Sequence, residues 1–524
     1  MLATWPDAAE RQVQVTPLDD DINTYLHIVQ QLRTRRNTLM PACCLLPEVL
    51  SEIFSYLVPI RVHDNHDIIA VTHVCRCWRD VALAFPHLWS HIHSRLSSSS
   101  QISLAEMMYE RAADAVLTIE VDADDTDERI HLIEELARQL HRTHVFKLEP
   151  SRGQYPGFVE NLVVDCPILE SFWICVGGSR SDSDVLLPNG MFRNASRLQM
   201  LHLSGCALHW DSLALNGLTC LELSHLRELA PAPSELLGLL EGNSALQDLE
   251  LVDVLAKFWL TPSSWNADVA INLPNLRHLA LSDITFIQYA HFLSRLNVPP
   301  ETHITLDITI PEGRSPNSLM LFPARVLTPY RDDPGIAYSV SIEHGYRTDI
   351  DIAPLIESNC PQCSYQTCRS HLDATFRYSG SDRDHSAYSP FTSLCSGSPL
   401  FSIQKLTIDT GDEQPFGAIL WRDVFLALPN LTFLDISVEE DNLTRALDAL
   451  APGESLRPLP QLEELVLCPA SGHQGGAENL ADALEKRAKA GLHLKSLTNR
   501  GIELSRSVIV RVRWMVVGIL SGFD

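Results

Sequence analysis

Lysine is nearly missing from this chain of 524 residues: Lys147, Lys257, Lys405, Lys486, Lys489 and Lys495 are the whole set. Arginine does not make up the deficit, because Lys and Arg together number 40 against 66 Asp and Glu, a formal net charge of −26. A molecule this acidic repels phosphate backbones and anionic lipid, which excludes nucleic acid and membrane surfaces as principal partners. The dense basic run Arg33-Thr34-Arg35-Arg36 suits the C-terminal end of a helix, where positive charge is favoured. Long apolar runs are missing as well. The stretch SVIVRVRWMVVGIL is broken by Arg511 and Arg513 and is too short to span a bilayer, so a terminal strand or capping helix is expected there. MLATWPDAAE has no basic head followed by an apolar stretch, and no secretory leader is expected. The 13 cysteines are thinly spread and odd in number, the pattern of reduced, packed thiols in a cytoplasmic or nuclear protein. There is no Gly-rich phosphate loop, no Ser nucleophile elbow and no pair of carboxylates in a catalytic frame, so neither enzymatic activity nor a cofactor is expected.

What the chain does have is apolar bulk, 45% of its residues, on a length too great for one core. Residues 1–43 hold a helical segment. Asp19, Asp20 and Asp21 favour a helix start, and Ile22, Tyr25, Leu26, Val29, Leu32, Leu39 and Met40 form an apolar stripe that Pro41 ends. The stripe could form a short coiled coil, but packing against the chain beyond Pro41 is expected. Next comes LPEVLSEIFSYL, where Leu46, Val49, Leu50, Ile53, Phe54 and Leu57 recur at helical spacing behind Pro47. A second helix is expected from about Ile68 to Phe85, with Val71, Val74, Cys75, Trp78, Val81 and Ala82 on one side. A polar linker comes after it, over 94–102.

From residue 103 helix and strand patterns alternate, and a motif repeats: an apolar residue, two others, an apolar, one other, an apolar. It occurs as Leu169/Phe172/Ile174, Leu198/Leu201/Leu203, Leu218/Leu221/Leu223, Leu246/Leu249/Leu251 and Leu276/Leu279/Leu281. It resumes as Ile403/Leu406/Ile408, Leu431/Leu434/Ile436 and Leu462/Leu465/Leu467. Within each run the copies recur at roughly 20–32 residues, near the leucine-rich-repeat period. Pro167, Pro274, Pro429 and Pro460 each stand two residues ahead of a copy and commit the chain to a turn. Such repeats usually carry Asn or Cys three residues after the last apolar position. Cys206 fits, whereas Leu226, Val254 and Ile284 occupy the equivalent places. The expected architecture is therefore α/β: a small all-helical unit over 44–93, then an irregular leucine-rich-repeat solenoid. Its first part spans 103–310, an irregular insertion 311–400, and its second part with a C-terminal cap 401–524.

Residues 45–91 resemble an F-box, through Leu46-Pro47, Leu50, Ile53-Phe54, Leu57, Val74-Cys75, Trp78-Arg79 and Leu88-Trp89. A module this small cannot internalise Leu46, Ile53, Phe54, Leu57 and Val74 together, and exposed apolar groups imply a partner surface. The resemblance names that partner as the Skp adaptor and, through it, a cullin ubiquitin ligase. The residues it implies in docking are Leu46, Pro47, Leu50, Ile53, Phe54, Leu57, Val74, Cys75 and Trp78. By the same resemblance the repeats select a protein substrate. Outward strand positions Glu222, Asp248, Glu250, Asp409, Asp435 and Glu464 would then offer an acidic stripe to a basic segment. The scaffold could also act outside any ligase. A third possibility rests on CPQCSYQTCRSH, where Cys360, Cys363, Cys368 and His371 present thiolate and imidazole donors suited to tetrahedral zinc; a thiol-bearing loop with no metal is the expectation. His63, His66, His73 and the pair His91/His93 are read as polar surface.

Overall fold

The structure, a computed structural model, describes residues 8–58, 66–96, 98–124, 127–152, 162, 165–176, 185–210, 215–259, 270–310, 338–344, 348–354, 372–378, 395, 399–409, 421–453, 456–469 and 477–521. The chain divides into two units, Met1–Ser181 with Asn194–Arg197, and Asp182–Arg193 with Leu198–Asp524. The first combines helices with a parallel sheet and the second is a mixed sheet with helices, so the class is α/β.

Helix α1 (Ala8–Asn37) opens the first unit. Its stripe is not packed against the chain beyond Pro41: Ile22, Tyr25, Leu26, Val29 and Leu32 are 42% to 69% exposed. Pro41 starts a 3-10 turn, Pro41–Cys43, and the next helices close on one another. These are α2 (Pro47–Ser55), α3 (His66–Thr72) and α4 (Arg76–Leu83), followed by a 3-10 turn at Pro86–Trp89. The single helix expected over 68–85 is thus two. Cys75 caps α4, its Sγ accepting the Trp78 N–H, while Arg79 Nε donates to the Thr72 carbonyl at 2.7 Å and closes α3.

Within the polar run expected as a linker over 94–102, the described residues belong to a strand and to a helix with its N-cap. Strand β1 (His91–Leu96) pairs in parallel with β2 (Leu117–Asp124), from His91 against Thr118 to Leu96 against Ala123. Ser98 takes the N-cap position of α5 (Ser99–Ala112). Helix α6 (Asp127–Ala137) leads to β3 (Thr143–Arg152), and β4 (Ser171–Cys175) extends the parallel order β1–β2–β3–β4. Alternate residues Leu117, Ile119 and Val121 are buried, and Phe146 stacks on Phe172 with centroids 5.6 Å apart. Period-2 burial of this kind is what a strand with one covered face requires.

In the second unit the two-residue strands β5 (Val185–Leu186) and β7 (Cys206–Ala207) pair beside the main sheet, which begins with β6 (Met200–Ser204). Parallel neighbours continue it as β8 (Cys220–Ser224), β9 (Asp248–Val252), β11 (His278–Thr285) and β13 (His303–Ile310). Another short pair, β10 (Ile271–Asn272) and β12 (Leu296–Asn297), lies alongside. Within 311–400 the described residues form β14 (Tyr338–His344), β15 (Thr348–Pro354) and β16 (Leu372–Tyr378). β13 runs parallel to β16, the neighbours β16–β15–β14 are antiparallel, and β14 runs parallel to β17 (Ile403–Asp409). From there β18 (Phe433–Val438), β19 (Glu464–Pro469), β20 (Leu494–Asn499) and β21 (Val516–Ser521) continue in parallel. The apolar C-terminal run supplies both a helix, Arg506–Arg513, and β21.

Register aligns the motif copies. Leu201, Leu221, Leu249, Leu279 and Ile304 stand side by side and are buried, as are Leu406, Leu434, Leu465 and Leu497. Three strand exits and the register shift within β11 share a device. Gly205, His225, Asp253 and Asp283 adopt φ of +69°, +54°, +53° and +52°, each directly before the buried Cys206, Leu226, Val254 and Ile284. A left-handed residue turns the chain so that the next side chain points inward, a conformation natural to Gly and tolerated by Asp and His.

Candidate functional site

Two surfaces carry the residues singled out by sequence. The first is the helical module around α2. Pro47 occupies its first turn, where the missing N–H costs nothing. Leu50 and Phe54, one turn apart, have no accessible surface. Phe54 meets Trp78 edge-on at 5.3 Å, and Trp78 Nε1 donates to the Ala42 carbonyl at 3.0 Å, fastening the segment before α2 to α4. Trp89, fully buried, donates to the Ala82 carbonyl at 2.8 Å, and the Arg111 guanidinium lies 4.6 Å over its ring. One side of α2 and α4 is thus consumed in closing the module. Leu46, Val49, Ile53 and Val74 face solvent, 66%, 43%, 43% and 51% exposed. Pro47 is exposed too, and Leu57, Cys75 and Trp78 are half-buried.

The second surface is the outward side of the strands in the second unit. His202 on β6 stands opposite Glu222 on β8 and hydrogen-bonds its carboxylate, which holds Glu222 below the ordinary carboxylate range. Asp248 on β9 pairs with His278 on β11, Oδ1 to Nδ1 at 2.5 Å. Glu250, beside Glu222 in the register, is pushed up by burial first and then by the Glu222 charge. Burial likewise raises Asp435 and pushes the Cys220 thiol up. Asp409 and Glu464 are exposed. The acidic stripe is therefore interleaved with imidazoles at Glu222 and Asp248. Sequence spacing could not show this, since the partners lie 20 and 30 residues apart. Lys405, whose Nζ sits 4.8 Å from the Phe433 ring centroid, adds positive charge beside Asp435 on the same side.

Residues 45–95 match the family model described as F-box-like. The chain carries an F-box-like domain. No curated protein matches the chain. An F-box-like domain is a binding module for Skp-type adaptors and is not itself an enzyme. Within this F-box-like domain the residues expected to dock are not equivalent, the half-buried Leu57, Cys75 and Trp78 lying between two sets. Leu46, Pro47, Ile53 and Val74 lie at the surface, while Leu50 and Phe54 are internal and support them. Helical spacing alone could not separate these sets, because α2 packs two adjacent arcs of its surface against α4 and the 3-10 turn. Val49, on the same apolar face, is as exposed as Ile53.

Cys360, Cys363, Cys368 and His371 lie outside the described residues, as does His63. Another imidazole cluster is visible at the end of the F-box-like domain. His93 Nδ1 lies 3.3 Å from Glu120 Oε2 across the β1–β2 pair, and donor atoms of His91, His93 and Glu120 all fall within 4.8 Å of one another. The adjacent His93 imidazole lowers Glu120, and burial lowers His91. Two imidazoles and a carboxylate could hold a divalent metal, but the charge contact between His93 and Glu120 already accounts for their approach. Sequence spacing does not point to Glu120, because only strand register brings it to His93. No helix among the described residues is long and apolar enough to cross a membrane.

Proposed function

We propose that this protein is a substrate-recognition adaptor of a Skp–cullin–F-box ubiquitin ligase. The F-box-like domain binds the Skp adaptor through Leu46, Pro47, Ile53 and Val74, with Val49 beside them. Leu50, Phe54, Leu57, Cys75 and Trp78 hold that surface in shape. The observation that carries this reading is the division within α2, where a matched F-box-like segment closes its own core on Phe54 yet leaves Ile53 and its neighbours uncovered. Exposed groups of this size each contribute about 1.5–3 kcal/mol when fully buried, which makes a covering subunit favourable.

The strands after the domain form a leucine-rich-repeat-like array that selects a protein substrate. The aligned buried leucines and the left-handed strand exits support it. Glu222, Asp248, Glu250, Asp409, Asp435 and Glu464 give its outward side an acidic bias toward a basic segment of that substrate. Holding the substrate beside the ligase raises its effective concentration there, and the ubiquitin chemistry belongs to other subunits. The working compartment is the cytoplasm or nucleus.

Co-purification tests the reading. Full-length protein should bring down both the Skp adaptor and cullin, and Ile53→Glu with Val74→Glu should lose both while the circular dichroism spectrum is kept. Adaptor without cullin would place the protein outside the ligase. Equal capture by the double variant would reject the docking surface.

A further inference from the structure

Helix α1 carries more than a loose apolar stripe. Val15, Leu18, Ile22, Tyr25, Val29 and Leu32 lie three and four residues apart in strict alternation, with Pro17 inside the helix near the start of the seam and Arg36 at the next a position. This is the a/d seam of a coiled coil, with Val15, Ile22 and Val29 at a and Leu18, Tyr25 and Leu32 at d. Every one of these apolar side chains is at least 42% exposed. The remaining face is polar, with Thr16, Asp20, Asn23, Thr24, His27, Gln30, Gln31 and Thr34. The stripe from Val15 to Leu32 is about 26 Å long at 1.5 Å per residue, an apolar seam too long to stand in water without a partner.

The charges beside the seam choose that partner. Asp19 and Asp21 flank its N-terminal half at e and g, and Arg33 and Arg35 flank its C-terminal half at the same two positions. Among the described residues no ion pair engages any of the four. A parallel pair of these helices would set aspartates beside aspartates and arginines beside arginines. An antiparallel pair centred on His27 sets Ile22 against Leu32 of the other copy, Tyr25 against Val29, and Leu18 against Arg36, whose apolar stem can cover it while the guanidinium reaches solvent. In that register Asp19 faces Arg33 and Asp21 faces Arg35, each pairing occurring twice. Leu26 and Ile28, the apolar residues at e and g, meet their own copies at the two-fold axis. Heptad, register and charge agree on one alignment.

We infer that α1 forms an antiparallel two-stranded coiled coil with α1 of a second copy of this chain, making the protein a homodimer that carries two F-box-like domains and two sets of recognition strands. A dimeric adaptor engages a multivalent substrate with higher avidity than either half alone.

Sedimentation velocity on the full-length protein at increasing micromolar concentration tests this. The wild-type chain should shift from one to twice the monomer mass. Ile22→Glu with Val29→Glu should remain monomeric. Asp19→Arg with Asp21→Arg should weaken dimerisation about 10-fold or more, as should Arg33→Asp with Arg35→Asp. Combining all four reversals should restore the wild-type constant, because each reversed charge again meets its opposite on the other copy. Skp-adaptor capture, read in parallel, should be unchanged in every variant. A wild-type chain that stays monomeric, or a fourfold variant no better than either double one, overturns the proposal. The second outcome would point to a different polypeptide on the seam.

Discussion

The rings of Phe54 and Trp78 meet edge-on, centroids 5.3 Å apart and planes at 63°, and join α2 to α4 in the interior of the F-box-like domain. Phe54→Ala removes this contact and leaves a cavity where no surface was accessible. The expected loss is about 3–5 kcal/mol, as for other buried aromatics. Ile53→Ala, one residue earlier but exposed, should change stability by no more than about 0.5 kcal/mol. Urea denaturation followed by tryptophan fluorescence distinguishes the two. Equal destabilisation would mean that Ile53 is part of the core.

The contrast between these neighbours marks how far the sequence could be read. Periodicity locates α2 and its apolar surface, but an apolar arc does not say which part another helix of the same chain will cover. Register is the second obstacle. The eight motif copies are legible because each is local. The strand β20 is not, because Asn499 stands in its third apolar place. That Asn499 is satisfied inside the fold, its Nδ2 donating to the Ile502 carbonyl at 2.8 Å and its Oδ1 accepting the Ile502 N–H at 2.9 Å. The imidazoles beside Glu222, Asp248 and Glu120 are likewise invisible in the sequence, since strand pairing alone brings them there. On α1 the stripe is plain, but its apolar side chains are exposed and do not pack within the chain as expected.

Two carboxylates on the strand face should respond to pH in opposite senses. The His202 hydrogen bond holds Glu222 below its ordinary range, so its stabilising contribution is present above that range and is lost as pH falls through the lowered value. Burial raises Glu250, so stability is greater below the ordinary range and is lost as pH rises through the raised value. Glu222→Gln should therefore flatten the loss of stability on acidification, and Glu250→Gln should raise stability at neutral pH. Urea midpoints between about pH 3 and pH 7 check both. Parallel curves for wild type and both variants would contradict the assigned causes.

Arg487, on the helix Ala477–Lys489, is buried with no carboxylate partner among the described residues, and burial brings its guanidinium down to about 10. It donates to the carbonyls of Pro458 and Leu459, each at 2.9 Å, and holds the loop that precedes β19. Arg487→Met keeps the apolar stem and strips the donors, leaving those carbonyls unpaired. The cost should be on the order of 1–3 kcal/mol, read as a lower melting temperature. An unchanged melt would show that the loop is held by other contacts.

The acidic bias of the strand face is tested by charge reversal. Asp248→Lys with Glu250→Lys should deplete the set of co-purified substrate proteins, basic ones first, while leaving adaptor capture intact. An unchanged set would dispose of the acidic stripe as a recognition element.

Leu46, the uncovered side chains of α2 and the α3–α4 joint make up the proposed docking surface. The affinity of purified protein for purified Skp adaptor, measured by calorimetry for wild type and for Leu46→Ala, Ile53→Ala and Val74→Ala, tests it most directly. The account predicts tight binding by wild type and a loss of about tenfold for each 1.4 kcal/mol removed, largest for Ile53→Ala, with stability unchanged. Wild-type affinity in all three variants, or no binding by the folded wild-type protein, would contradict it.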